Sequence, residues 1–116
     1  MKQPVIINVR DTIGSPLCVA TKDGDLVRDR ILPLPHQGCP VTLSFAETDV
    51  VIPAFVGSAI GLLYGEFSEA KVDALVEVQG LPTGAECTIE TARRWAKAYY
   101  RDPAAYLKAV EEVLGE

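Results

Sequence analysis

The sequence predicts an α/β fold in which a small mixed sheet is packed with helices. Short runs alternate apolar and polar residues at period two, and longer stretches place apolar residues three and four apart. Strand and helix signals also follow one another in turn along the chain. A length of 116 residues is that of one domain, spanning 1–116, which can bury roughly 65% of its unfolded surface. With 48% hydrophobic and 23% charged residues the composition is that of an ordinary globular domain. Such a core needs no metal or disulfide to hold it.

Val5, Ile7 and Val9 share one face and Asn8 and Arg10 the other, which predicts a first strand. Gly14-Ser15-Pro16 breaks it, and Leu17 to Ala20 is expected to return as the second strand of a hairpin. Asp23-Gly24-Asp25 reads as turn chemistry that caps a helix running to Arg30 or Leu32. Pro33 and Pro35 must end that helix, because proline removes a ladder hydrogen bond and clashes with the preceding turn. Val41, Leu43 and Phe45 then mark a central strand. Pro53 suits a first helical position, and the helix from Ala54 to Phe67 is apolar on most sides, so it should be buried. Ala74 to Val78 is the next strand, ended by Gly80 and Pro82. Thr88 caps a helix reaching Arg101, with Ile89, Ala92, Trp95, Ala96 and Tyr99 along one stripe. Asp102-Pro103 restarts a helix whose inward residues are Tyr106, Leu107, Val110, Val113 and Leu114.

Charge excludes some functions. A formal net charge of −5 leaves no basic footprint for general nucleic-acid binding. The uncharged run from Val50 to Gly65 is 16 residues long, short of the ~20 that a membrane helix needs. It contains Pro53 and lacks flanking Lys or Arg anchors, so no membrane span is expected. No signal-peptide pattern follows Met1, and Cys18, Cys39 and Cys87 are odd in number and widely spaced. A cytoplasmic protein with free thiols is the expectation.

Catalytic chemistry finds little to stand on. His36 is the single histidine, and His36-Gln-Gly-Cys39 lacks the second ligand pair of a zinc site. A thiol enzyme using Cys39 and His36 remains an alternative. No glycine-rich loop with a phosphate-binding lysine follows a strand. Neither a cofactor nor a metal is expected.

The most specific stretch is the strand, loop and apolar helix from Val41 to Phe67. It resembles the heart of STAS domains, the fold of bacterial anti-sigma-factor antagonists, in which a loop ending Asp-Ser-Ser/Thr-Gly opens an apolar helix. It is similar above all to the uncharacterised bacterial STAS-like family, in which that helix begins Ser-Phe and continues to Gly-x-Leu-Tyr. Here Ala54-Phe55 and Gly61-Leu62-Leu63-Tyr64 stand in those places. The resemblance covers roughly residues 4 to 101, and its specific part is residues 41 to 67. It implies a STAS-like sandwich and a non-enzymatic interaction module that regulates a protein partner. Among such partners are ATP-binding serine kinase-like proteins.

In phosphorylated STAS domains a Ser or Thr at the helix start accepts phosphate, which the helix N-terminus favours electrostatically. Ungapped counting sets Ile52-Pro53-Ala54-Phe55 on that motif and places Ala54, which has no hydroxyl, at the acceptor. A rival register sets Ser58-Ala-Ile-Gly61 on the pattern and returns the acceptor as Ser58, at the cost of a four-residue insertion. The first register is preferred, which leaves regulation by binding alone. The expected partner-binding residues are Ile52, Pro53, Ala54, Phe55 and Ser58. A small-ligand or nucleotide sensor, with the helix N-terminus near Pro53 as an anion site, is the alternative from another class.

Two surface patterns complete the reading. Gly57, Gly61 and Gly65 recur every fourth residue, which suits close packing on the protein's own sheet or a neighbouring helix, or else a homodimer contact. Arg93, Lys97 and Arg101 form a basic stripe, expected as a solvated face and otherwise fit for an acidic protein partner.

Overall fold

The computed structural model describes residues 3–104. Within them the chain forms strands β1 (Val5–Asn8), β2 (Leu17–Cys18), β3 (Val41–Ser44), β4 (Val50–Val51) and β5 (Val76–Gln79). The helices are α1 (Val9–Ile13), α2 (Thr21–Ile31), α3 (Pro33–His36), α4 (Pro53–Val56), α5 (Leu63–Glu66), α6 (Glu69–Leu75) and α7 (Ala85–Arg101). A π-helical turn, Gly57–Gly61, joins α4 to α5 into one continuous apolar helix.

The expected α/β class holds, with a three-stranded sheet ordered β1-β3-β5 and a two-stranded sheet of β2 and β4. Every pairing among the described residues is parallel, where a mixed sheet was expected. The hairpin is the part that fails. The backbone turns into α1 straight after β1, with the Asn8 side chain accepting from the Asp11 amide and Gly14 closing the helix in the left-handed region. That helix carries the chain away, so β2 pairs with β4 instead of β1. Val9, placed in the strand by its alternation, lies in the first turn of α1 and is fully buried.

β3 is the middle strand, and all four of its residues are buried, as expected for a parallel strand covered on both faces. The uncharged helix is among the most buried elements: Phe55, Val56, Ala59, Ile60 and Leu63 have no exposed surface. Pro53 stands at its start as predicted. Three helix boundaries differ from the sequence reading. Asp23-Gly24-Asp25 is not a turn; it lies within α2, which begins at Thr21. Residues 69–75 form α6, capped by Ser68, so the strand starts at Val76 and not at Ala74. α7 begins at Ala85 after a left-handed Gly84, three residues before the predicted cap Thr88. The predicted inward residues Tyr106, Leu107, Val110, Val113 and Leu114 lie outside the described residues.

Candidate functional site

The start of the central helix is set by local chemistry. Ile52 is extended (φ −106°, ψ 157°) and Pro53 supplies a helical φ in the first turn. Pro53 and Ala54 are exposed, Ile52 is half-buried and Phe55 is fully buried. Phe55 packs edge-to-face on Phe45 with ring centres 6.4 Å apart. Of the five residues expected to meet a partner, the accessible ones are therefore Ile52, Pro53 and Ala54. Phe55 is spent on the core, because its bulky apolar ring turns inward onto Phe45.

Ser58 is also inside, at 8% exposure. Its hydroxyl donates to the Asp25 carboxylate, and the Thr21 carbonyl lies 2.8 Å away as a second acceptor for the same proton. Arg28 donates to the same Asp25 oxygen at 2.8 Å and reaches the Ser58 carbonyl at 3.3 Å. The Ser58 hydroxyl, followed by Arg28, holds the Asp25 carboxyl below the usual carboxylate range against the opposing effect of desolvation. What permits this contact is Gly24. A Cβ there would stand 2.7 Å from both the Phe55 carbonyl oxygen and the Ser58 Cβ. The π-helical turn thus rests directly on the backbone of α2. Sequence reading missed Thr21, Gly24, Asp25 and Arg28 as Ser58's surroundings. The available signal was the stripe Gly24, Val27, Ile31, all buried at helical spacing, which the Asp-Gly-Asp turn pattern concealed.

The small-residue face looks the other way. A Cβ on Gly61 would sit 3.3 Å from Ala96 Cβ, and one on Gly65 only 2.5 Å from the Tyr100 ring, so this face packs on α7. Gly57 has open space. Between the two helices runs an apolar groove of about 370 Å³, with Pro53, Gly57, Gly61 and Leu62 on one wall and Ala92, Trp95, Ala96, Tyr99 and Tyr100 on the other. The predicted α7 stripe is buried at Ile89 and Ala92, whereas Trp95 is 53% exposed.

The basic stripe has partners within the chain. Arg93 donates to the Tyr64 hydroxyl (3.1 Å) and the Val76 carbonyl (2.9 Å), and Lys97 pairs with Asp73 at 2.7 Å. Arg101 meets Glu69 through two nitrogens, at 2.7 and 2.8 Å. Burial, with help from the Asp73 hydrogen bond, pushes Tyr64 up to about 12. These cations tie α7 to α5, α6 and β5, and an acidic partner would have to compete with those bonds.

Cys39 and His36 face different neighbours. His36 Nε2 lies 3.1 Å from Glu66 and its ring packs edge-on against Phe67 at 4.6 Å. Cys39 is buried with its thiol directed at the Pro40 and Gln3 carbonyls. Burial, with Asp23 adding to it, pushes the Cys18 thiol up to about 11, away from a reactive thiolate. All three cysteines are free, Cys18 and Cys39 buried and Cys87 exposed. Among the described residues no group of three or more His, Cys, Asp or Glu could hold a metal ion. Nor is any described helix long and apolar enough to cross a membrane.

The described residues form a small α/β domain with parallel sheets and a buried central helix whose first residues reach the surface. The family model described as a STAS-like domain of unknown function (DUF4325) matches residues 23–82, and the chain belongs to that family. The matched region holds α2 from its third residue onward, the central strand β3, the buried helix and β5. No curated protein and no solved structure matches the chain.

Proposed function

We propose that this STAS-like domain is a non-enzymatic interaction module that regulates a protein partner in the cytoplasm by binding alone. Its docking surface is the exposed start of the central helix, formed by Ile52, Pro53 and Ala54. The observation that carries the reading is the division of labour on that helix. Ala54 is exposed and has no hydroxyl, while the first hydroxyl along the helix, on Ser58, is buried against Asp25. A surface that cannot be phosphorylated stays permanently in one binding state. By resemblance to STAS domains, the partner is an ATP-binding serine kinase-like protein.

The ligand-sensor reading finds less support. Pro53 has no N–H, and the Phe55 amide is directed to the Ile52 carbonyl at 3.1 Å. This terminus is therefore short of the donors that an anion site uses. The thiol reading is weakened by the separate partners of Cys39 and His36.

Placing a photo-activated cross-linking residue at position 54 in cells tests the proposal. One discrete protein adduct is expected from position 54, and none from a control at exposed Asp29 on α2. Equal labelling from both positions, or none from either, would count against the docking surface.

A further inference from the structure

Among the described residues β1 has a strand neighbour on one side only, β3, so its other side is an open sheet edge. Val5 donates its amide to the Pro40 carbonyl at 2.9 Å, in the register that sets Val5 beside Val41. In a parallel pair with that bond, Val5 and Ile7 direct their backbone groups at β3, and Ile6 and Asn8 direct theirs to the open edge. The strand, Val-Ile-Ile-Asn, carries no charge to blunt that edge, and Ile6 is 66% exposed. The opposite edge is guarded: the Val76 carbonyl accepts from Arg93 at 2.9 Å, and Glu77 stands exposed on β5. A groove of about 440 Å³ runs along all four residues of β1, walled by Asp11, Thr12, Arg30 and Leu34.

We propose that this groove receives β1 of a second copy, the two strands pairing antiparallel about a two-fold axis at Ile6. Ile6 then faces its own counterpart, and each donates its amide to the other's carbonyl. Two positions along, Asn8 of one copy lies opposite Pro4 of the other and donates to the Pro4 carbonyl. No return bond is needed there, because Pro4 has no N–H and the Asn8 carbonyl already accepts from the Thr12 hydroxyl at 2.8 Å. The edge is thus complementary to itself in its backbone groups. Charge agrees with this pairing. Cys39 donates to the Leu34 carbonyl and Val5 to the Pro40 carbonyl, which sets Leu34 at the Val5 end, with Arg30 one helical turn from it. Asp11 follows the Asn8 end, so antiparallel pairing turns the Asp11 end of each copy toward the Arg30 end of the other. A four-residue strand buries less than the roughly 1,200 Å² of a stable interface. The net charge of −5 on each copy also opposes association, so the dimer is expected to dissociate on dilution. This interface shares no residue with the docking surface at Ile52 to Ala54.

Sedimentation equilibrium of the full chain should show monomer and dimer in exchange, shifting to dimer as concentration rises. Ile6→Lys should abolish the dimer, because two like charges would then face each other, and should leave the unfolding midpoint of the dilute protein unchanged. Across the proposed axis the two Ile6 Cα atoms would stand about 5.5 Å apart, within the reach of a disulfide. Cys87→Ser removes the exposed thiol, leaving Cys18 and Cys39 buried. In that background Ile6→Cys should form a disulfide-linked dimer under mild oxidation, and Glu77→Cys on the guarded edge should not. The cross-link decides even if Ile6→Lys fails to fold. A chain that is monomeric at every concentration would overturn the proposal and leave the edge to a strand from a different protein. So would a dimer unmoved by Ile6→Lys in a folded protein, or equal cross-linking from positions 6 and 77.

Discussion

Ser58 has a single proton to offer and two acceptors close by, the Asp25 carboxylate and the Thr21 carbonyl. A carboxylate in that position is useful while it is ionised, because it then accepts from both Ser58 and Arg28. Its folded pKa is lowered, so its contribution to stability is present above the unfolded value of about 3.9 and is lost as pH falls through the folded value. Asp25→Asn should therefore lower the urea midpoint at pH 7, and the gap to the native protein should narrow by pH 3. Glu69 and Asp73 are lowered too and steepen the acid limb, but they do so in both proteins and cancel in the comparison. A gap that is constant with pH would mean that the carboxylate charge plays no part in holding Ser58.

At the scale of elements, the packing of the central helix is decided by which glycines can carry a methyl group. Gly24→Ala should destabilise by about 1–3 kcal/mol, because the new carbon would meet a backbone oxygen at 2.7 Å that cannot move cheaply. The gain in helix propensity, up to ~1 kcal/mol, does not offset that. Gly61→Leu should cost a similar amount through its 3.3 Å approach to Ala96. Gly57→Ala meets nothing within 4 Å at a helical φ of −58°, and should be neutral or stabilising by up to ~1 kcal/mol. Thermal or urea unfolding of the three variants checks the order. Equal effects at all three positions would contradict the assigned packing.

The same elements show what could be read in advance. The uncharged run, Pro53 and the alternation in β3 each carried a periodicity or a stereochemical constraint strong enough to survive tertiary context. The strand pairings did not. Whether Leu17–Cys18 lies beside Val5–Asn8 or beside Val50–Val51 depends on α1 turning the chain, and five residues are too few for a periodic signal. α6 was missed because its Val72 and Leu75 resemble the strand that follows. Pro53 was legible as a helix start, whereas the exposure of Pro53 and Ala54 was not. The inward turn of Phe55 and Ser58 depends on α2 packing beneath them, and no local pattern announces that.

Taken as a whole, the molecule buries its one long apolar helix behind a parallel sheet, α2 and α7, and leaves the start of that helix at the surface. Internal pairing with Asp73 and Glu69 uses the Arg93–Lys97–Arg101 stripe, so the proposed docking at the helix start would rest on shape and apolar contact more than on charge. The most direct test is the affinity of the partner captured from position 54 for native protein and for Ala54→Asp, measured by titration calorimetry. An unpaired carboxylate buried in an apolar contact costs about 2 kcal/mol or more, roughly a thirtyfold rise in Kd. That loss, with the unfolding midpoint unchanged, is the expected result; equal affinity of the two proteins would show that the helix start is not where the partner binds.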